Sequence, residues 1–138
     1  MKFATAAILS AAVASADVIF NVSDFSAGCV AHGTECLYDF KVIQPGTMET
    51  TPVSCTASAL SNDGTLPAVT SGKCVGSSRT FTIKPSAAGL VLAVSQQVTP
   101  ASFTIGSHVL AKSDIKSTTS GASTVENYTG ATAFSLTD

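Results

Sequence analysis

Short runs in which apolar side chains alternate with other residues recur along the chain from residue 18 to residue 136. In the first run, Val18, Phe20 and Val22 are separated by Ile19 and Asn21. This period of two places successive side chains on opposite faces of a β-strand. Further runs lie at residues 38–42, 53–59, 81–83, 90–94, 103–105, 109–111 and 134–136.

Glycine, proline and Asn-Asp-Gly turn signals separate these runs at short intervals. The combination predicts an all-β fold, an antiparallel barrel or sandwich. We expect the apolar residues of each run to face the core, which leaves mostly Ser, Thr and Ala on the outward faces. The Ser/Thr/Gly-rich stretch at residues 116–124 is predicted to be an exposed loop.

The first residues have the pattern of a secretory signal peptide. Lys2 supplies a positive charge, residues 3–13 are apolar or small, and Ala14 and Ala16 fit a signal-peptidase site. A membrane anchor needs about 20 apolar residues, and Asp17 ends this run earlier. The sequence therefore predicts cleavage after residue 16 and one secreted domain over residues 17–138, with no membrane span.

Four cysteines are present, and export to an oxidising compartment favours their pairing. Cys29 and Cys36 flank a turn signal symmetrically, and Cys55 and Cys74 do the same around Asn62-Asp63-Gly64. Facing residues of an antiparallel pair are close enough for a disulfide. We therefore predict the bonds Cys29–Cys36 and Cys55–Cys74.

Cys29, His32 and Cys36 could instead be zinc ligands, but their spacing resembles no common zinc module. No metal or other cofactor is predicted. Asn21 and Asn127 begin the two N-glycosylation sequons, so both are candidate glycan acceptors in an exported protein.

The charge composition excludes two classes of partner. Charged residues make up 12% of the chain and the formal net charge is −2. There is no basic patch for nucleic acid and no polybasic face for anionic lipid.

Candidate catalytic residues are few and fit no known motif. The only histidines are His32 and His108, and a triad of Ser107, His108 and Asp114 rests on no sequence signature. Glycoside hydrolysis needs two carboxylates across a cleft, and nothing in the sequence distinguishes any pair. The acidic candidates are Asp24, Glu35, Asp39, Glu49 and Asp63. We expect a protein that is not an enzyme.

Carbohydrate-binding surfaces usually offer flat aromatic side chains to the sugar. This chain has no Trp and only two tyrosines, of which Tyr38 shares a strand face with Phe40 and is predicted to lie in the core. A cell-wall-associated module that binds carbohydrate or protein remains the alternative function.

The sequence resembles a family of small secreted proteins of filamentous fungi, the hypersensitive-response-inducing proteins. The segments that carry the resemblance are FSAGC at 25–29, GTMETTPVSC at 46–55, SSRTFTI at 77–83 and VSQQVTP at 94–100, together with His32, Cys36, Tyr38 and Phe40. The resemblance extends over nearly the whole predicted mature chain.

The resemblance implies a secreted elicitor that plant cells perceive, with cell death and defence signalling as the outcome. It also implies a β-barrel or β-sandwich that is distantly similar to the major Alternaria allergen family. That allergen is a disulfide-linked dimer, whereas all four cysteines here are predicted to pair internally, so we expect a monomer. The partner implied is an unidentified plant cell-surface or apoplastic protein, and the location is the apoplast or the fungal cell wall.

Loops held on a rigid scaffold commonly carry function. We expect the exposed contact residues to lie in residues 30–35, in residues 44–51 and at Arg79 near a strand start. The recognition surface is predicted to be a rim formed by the first two of these loops, with His32, Glu35, Met48 and Glu49 as its candidate residues.

Overall fold

Ten β-strands account for most of the structure, a computed structural model that describes residues 17–138. The predicted signal peptide, residues 1–16, lies outside the described residues. The strands are β1 Val18–Cys29, β2 Glu35–Ile43, β3 Val53–Leu60, β4 Val69–Cys74, β5 Thr80–Ser86, β6 Gly89–Thr99, β7 Ser102–Ala111, β8 Ile115–Ser120, β9 Ser123–Tyr128 and β10 Phe134–Thr137. A single 3-10 turn at Lys112–Asp114 joins β7 to β8.

Eight of these strands form a closed antiparallel barrel. Strands β1 to β7 pair in chain order, and β10 closes the barrel by pairing with both β7 and β1. The all-β prediction is confirmed, and closure makes the fold a barrel rather than a sandwich.

The barrel interior is filled by the inward side chains of the alternating runs. Phe40 packs edge-on against Phe81 with ring centroids 4.9 Å apart, and Phe25 lies 5.8 Å from Phe40. Tyr38 is fully buried, as predicted, and its hydroxyl donates a 2.7 Å hydrogen bond to the Pro67 carbonyl. Burial raises the pKa of this phenol well above its ordinary value, because the phenolate would lose its water. Other fully buried side chains are Phe20, Val42, Ile83, Leu92, Val94 and Leu136.

Both predicted disulfides are confirmed. Cys29 faces Cys36 across β1 and β2, and Cys55 faces Cys74 across β3 and β4, with Cα–Cα distances of 3.9 and 4.0 Å. Because the thiols of Cys29 and Cys36 are bonded to each other, they are not zinc ligands.

Residues 116–124 are exposed, as predicted, apart from the half-buried Ser123, but the prediction of a loop is wrong, because β8 and β9 form a hairpin there. Ser120 faces Ser123 across a tight turn in which Gly121 has a φ of +63°, a conformation that favours glycine. Serine and threonine gave the segment the composition of a loop, yet threonine is well suited to strands. The buried Val125 anchors the hairpin on the core.

The hairpin of β8 and β9 covers one end of the barrel. The Glu126 amide donates to the Gly64 carbonyl at 2.8 Å, and the Leu66 amide donates to the Glu126 carboxylate at 2.8 Å. Gly64 has a φ of +78°, and a side chain there would collide with the Thr124 backbone. A larger residue at 64 would therefore push the hairpin off the barrel.

The expectation that every apolar run faces the core is wrong for β7. Phe103, Ile105 and Val109 are exposed, whereas Gly106 and Leu110 of the same strand point inward. Leu136 of β10 occupies the interior next to Gly106 and leaves no room for a larger side chain. The barrel is thus filled from β10 at this place, and the apolar residues of β7 are left on the outside.

Antiparallel pairing places successive connections at alternate ends of the barrel. The connections at residues 30–34, 61–68 and 87–88 lie at what we call the upper end, the end that the β8–β9 hairpin covers. Those at residues 44–52, 75–79 and 100–101 lie at the lower end.

Candidate recognition surfaces

The structure separates the four predicted recognition residues into two pairs. His32 and Glu35 lie at the upper end, and Met48 and Glu49 lie at the lower end. Strand β2 runs between the two loops, and the steps from the first to the last of its nine residues, at about 3.3 Å each, hold the loops about 26 Å apart. The prediction of one shared rim is therefore wrong, and each end is a separate surface.

At the upper end, a cross-strand row of exposed side chains forms what we call the upper rim, defined as Val30, His32, Glu35, Leu37 and Leu60. The Val30 amide bonds to the Glu35 carbonyl, and Glu35 faces Leu60 on β3. Leu37 is the next outward residue of β2. Val30, Leu37 and Leu60 are all about half exposed or more, so exposed apolar residues flank Glu35 both along its own strand and across to the neighbouring strands.

Covalent and hydrogen bonds fix the backbone of the upper rim. The Cys29–Cys36 bond closes the turn, the Val30 amide donates to the Glu35 carbonyl at 2.8 Å, and the Ser61 amide donates to the Thr34 carbonyl at 2.7 Å. A surface held in this way loses little conformational entropy when a partner binds.

His32 joins the upper rim to the β8–β9 hairpin. Its φ is +60°, which is uncommon for a residue with a Cβ, and its Nδ1 lies 3.0 Å from the Ser123 hydroxyl. A polar cleft of about 360 Å³ lies between His32, Asn62, Asp63 and Ser123. Three connections that are far apart in sequence therefore meet around one histidine.

Asp63 organises the connection on the far side of this cleft. Its Oδ1 accepts hydrogen bonds from the Thr65 hydroxyl at 2.6 Å, the Thr65 amide at 3.1 Å and the Ser61 hydroxyl at 3.0 Å. These donors, Thr65 foremost, lower the pKa of the Asp63 carboxyl below its ordinary value. The carboxylate thus holds its own loop in shape.

At the lower end, an ion pair holds the connection at residues 44–52, which we call the latched loop. Both terminal nitrogens of Arg79 donate to the two carboxylate oxygens of Glu49 at 2.8 Å. Glu49 Oε2 also accepts the Gln44 amide at 2.8 Å. The hydrogen bond from Arg79 is the main reason why the pKa of Glu49 lies below its ordinary value.

Arg79 is the buried member of this pair, with only 5% of its surface exposed. Its Nε donates to the side-chain carbonyl of Gln96 at 2.6 Å, and its guanidinium carbon lies 5.2 Å from the centre of the Phe20 ring. The expectation that Arg79 is an exposed contact residue is wrong. The turn residues before it indicated a loop, and nothing in the sequence signalled that Glu49 would fold over it.

Met48 stands out from the latched loop with 98% of its surface exposed, directly beside the held Glu49. The Thr47 hydroxyl donates to the Gln44 carbonyl at 2.8 Å and further restricts the loop. Both carboxylate oxygens of Glu49 are already hydrogen-bonded, so Met48 is the residue of this pair that is open to a partner.

The triad considered from the sequence is not assembled. Ser107 and His108 are neighbours on β7 and point to opposite faces, and the His108 ring stacks on Phe134 at 4.2 Å. Burial lowers the pKa of the His108 imidazole below its ordinary value. The residue packs at the seam where β10 closes the barrel.

The remaining acidic candidates are dispersed. Asp24 forms an exposed ion pair with Lys41 at 3.6 Å, and Asp39 lies on the outer face of β2.

Among residues 17–138, no group of three His, Cys, Asp or Glu side chains is arranged to hold a metal ion. Within the same residues, none of the helical structure is long and apolar enough to cross a membrane.

The two sequons differ in their surroundings. Asn21 is exposed on the outer face of β1, as predicted, and its Oδ1 accepts a 3.0 Å hydrogen bond from the Ser135 hydroxyl. Asn127 is half-buried on β9, where its amide nitrogen points to Thr118 and the hydroxyl of Thr129 donates to the Asp114 carbonyl.

No protein-family model and no curated protein matches the chain.

Proposed function

We propose that this protein is a secreted, non-enzymatic elicitor that a plant cell-surface or apoplastic protein binds, with the hypersensitive response and defence signalling as the result. The observation that carries the proposal is the resemblance to the fungal elicitor family, whose first part consists of FSAGC at 25–29 with His32, Cys36, Tyr38 and Phe40. Of these residues, His32 belongs to the upper rim, and Cys29 and Cys36 form the disulfide that closes its turn.

The other segments of the resemblance support a structural role for the ion pair that holds the latched loop. Glu49 lies in the segment 46–55, Arg79 in 77–83 and Gln96 in 94–100, and their side chains meet in one hydrogen-bonded cluster. At the lower end, the resemblance therefore falls on residues that hold the barrel together.

The physical properties of the upper rim support binding to a protein. Tight protein contacts depend on a few large side chains that are buried in the complex and surrounded by polar groups. Val30, Leu37 and Leu60 around Glu35 provide such a set on a backbone that a disulfide already fixes. Both disulfides also suit a protein that works outside the cell.

The test compares the leaf response to two protein variants, each of which carries a pair of substitutions. The rim variant Glu35→Ala/Leu60→Ala removes one facing pair of β2 and β3, and the control variant Asp39→Ala/Thr56→Ala removes another facing pair of the same two strands. Each purified protein, with its far-UV spectrum and melting temperature checked, is infiltrated into leaves over a dilution series.

We expect the rim variant to need at least about tenfold more protein than the wild type for the same cell death, a loss of about 1.4 kcal/mol in binding. The control should match the wild type. Equal activity of the rim variant would refute the role of the upper rim. No leaf response to folded wild-type protein, with saturable binding to chitin, glucan or cellulose, would instead favour a cell-wall-associated binding module.

A further inference from the structure

The two N-glycosylation sequons begin at Asn21 and Asn127, and the barrel places them toward opposite ends. Asn21 lies in the lower part of β1, where it faces Ile43, the last residue of β2 before the latched loop. Asn127 lies on β9, which pairs with the upper part of β1 at Gly28. An oligosaccharide therefore meets different surroundings at the two positions.

The Asn21 side chain has room for a glycan. It is exposed on the outer face of β1, between the buried Phe20 and Val22. Its Oδ1 accepts a 3.0 Å hydrogen bond from the Ser135 hydroxyl. Because Oδ1 and Nδ2 diverge from one planar carbon, this bond turns Nδ2 away from Ser135. Nδ2 is the atom that carries an N-linked glycan, so a glycan at Asn21 can extend into solvent.

Asn127 is part of the contact that joins the β8–β9 hairpin to the barrel. It lies on the same strand face as Val125, which anchors the hairpin on the core. Its Oδ1 is so close to Gly28 that a Cβ at residue 28 would collide with it. Its Nδ2 donates to the Thr118 hydroxyl at 3.4 Å. Since both ends of this amide are occupied, a sugar on Nδ2 would displace Thr118 and open the contact with Gly28.

The Asn127 position is also next to the upper rim. A cleft between β1 and β9 is lined by Asn127 together with Val30 and Leu37, two residues of the rim. An oligosaccharide at Asn127 would occupy this cleft and cover that part of the rim. Asn21 is more than half the length of β1 away from the cleft, on the side of the latched loop, so a glycan there leaves the rim open.

We infer that the secreted protein carries one N-linked oligosaccharide, at Asn21, and that its fold excludes a second one at Asn127. The inference rests on the secretion that is part of the proposed function. The donor is a lipid-linked oligosaccharide pyrophosphate. The Asn21 Nδ2 loses a proton and bonds to C1 of the first sugar, while the bond between C1 and the pyrophosphate oxygen breaks and the lipid pyrophosphate leaves.

The fold acts by selection, because transfer precedes folding and both sequons are open in the unfolded chain. A chain that is modified at Asn127 cannot close the contact between β1 and β9. We expect such chains to be retained in the cell, whereas chains modified at Asn21 alone fold and reach the medium.

Peptide mapping of the secreted wild type tests the inference without any substitution. The full chain is expressed in a yeast secretory host, and protein from the medium is treated with peptide-N-glycosidase. This enzyme hydrolyses the Cγ–Nδ2 bond and leaves aspartate at each glycosylated position. We expect aspartate in place of Asn21 and an unchanged Asn127. The intact mass should fall on treatment to that of the polypeptide alone.

Three variants, each checked for folding by circular dichroism, identify the cause. Asn21→Gln and Ser23→Ala each destroy the first sequon, the second without changing the acceptor, and both should be secreted without a glycan. Ser117→Asn places an acceptor ahead of Thr118 and Thr119, on an exposed part of the same hairpin. It should gain a second glycan, which would show that the transferase reaches this part of the chain.

Secreted protein without a glycan at Asn21, or folded secreted protein with one at Asn127, would overturn the inference and leave the proposed function standing. A chain that stays in the cell without a glycan would overturn both. If Ser117→Asn gained no glycan, the place of the hairpin in the chain, rather than the packing of Asn127, would exclude modification, and the exclusion by the fold would be refuted.

Discussion

Replacing Glu49 with glutamine should destabilise the barrel more than any change to an exposed carboxylate. The substitution keeps the size of the side chain but removes the charge that balances Arg79, which is 5% exposed. Breaking a fully buried ion pair by removing one partner costs about 3–5 kcal/mol. Here the Glu49 side chain is 21% exposed and the new amide can still accept one hydrogen bond, so we expect a loss of about 2.5 kcal/mol.

The assay is thermal unfolding followed by circular dichroism at neutral pH. For about 120 ordered residues, a loss of about 2.5 kcal/mol lowers the melting temperature by about 10 °C. Glu35→Gln, which changes an exposed carboxylate in the upper rim, should lower it by about 2 °C at most. Adding Arg79→Met to Glu49→Gln should recover part of the loss, because the unbalanced cation is then gone.

The pH dependence follows from the lowered pKa of Glu49. A carboxyl whose pKa is lower in the folded state than in the unfolded state stabilises the fold above its ordinary value of 4.5. That stabilisation is lost as the pH falls through the folded-state pKa, so the difference between wild type and Glu49→Gln should begin to shrink once the pH is below 4.5. A melting temperature within about 3 °C of the wild type at neutral pH would refute the reasoning, as would a double variant no more stable than Glu49→Gln.

Three further predictions concern the two disulfides, His108 where β10 closes the barrel, and the β8–β9 hairpin. Removing the disulfide between β3 and β4, whose cysteines are 19 residues apart, should lower the free energy of unfolding in urea by about 3.3 kcal/mol. Removing the disulfide between β1 and β2, whose cysteines are 7 residues apart, should lower it by about 2.5 kcal/mol. The reverse order would contradict the chain-entropy explanation. Burial lowers the pKa of His108, so the unfolded chain binds the proton more tightly and stability should fall as the pH drops below about 6.5. Urea midpoints should show this decline in the wild type and not in His108→Phe, and identical slopes would rule out His108 as the cause. Val125→Ala should cost about 1–3 kcal/mol and speed amide exchange in β8 and β9 first; uniform acceleration across the barrel would show that the hairpin is not a separate lid.

Local patterns were sufficient to predict most of the strands and both disulfides. The alternation in residues 18–22 and 38–42 depends only on which face of a strand each side chain occupies, and β1 and β2 follow it. The cysteine pairs flank turns, so their partners could be inferred from local geometry. Tyr38 was placed in the core because it shares its strand face with Phe40.

Long-range packing decided what the local patterns could not. The sequence left barrel and sandwich open, because closure depends on whether β10, at the end of the chain, pairs with β1 at its start. The same strand supplies Leu136 to the interior beside Gly106, and this turns Phe103 and Ile105 of β7 outward. An alternating pattern fixes the period of a strand, but which of its faces is buried depends on the volume that the other strands already fill.

The recognition residues show the same division. The sequence correctly indicated that the loop at residues 30–35 is pinned by a disulfide, since Cys29 and Cys36 are close along the chain. The prediction from sequence placed this loop and residues 44–51 in a single rim, although the whole of β2 separates the two loops in space. It also left Arg79 exposed, because its partners Glu49 and Gln96 lie 30 and 17 residues away and only the closed barrel brings them together. Burial of a charge is favourable only when a counter-charge and hydrogen-bond partners arrive from elsewhere in the chain, and that is a property of tertiary structure alone.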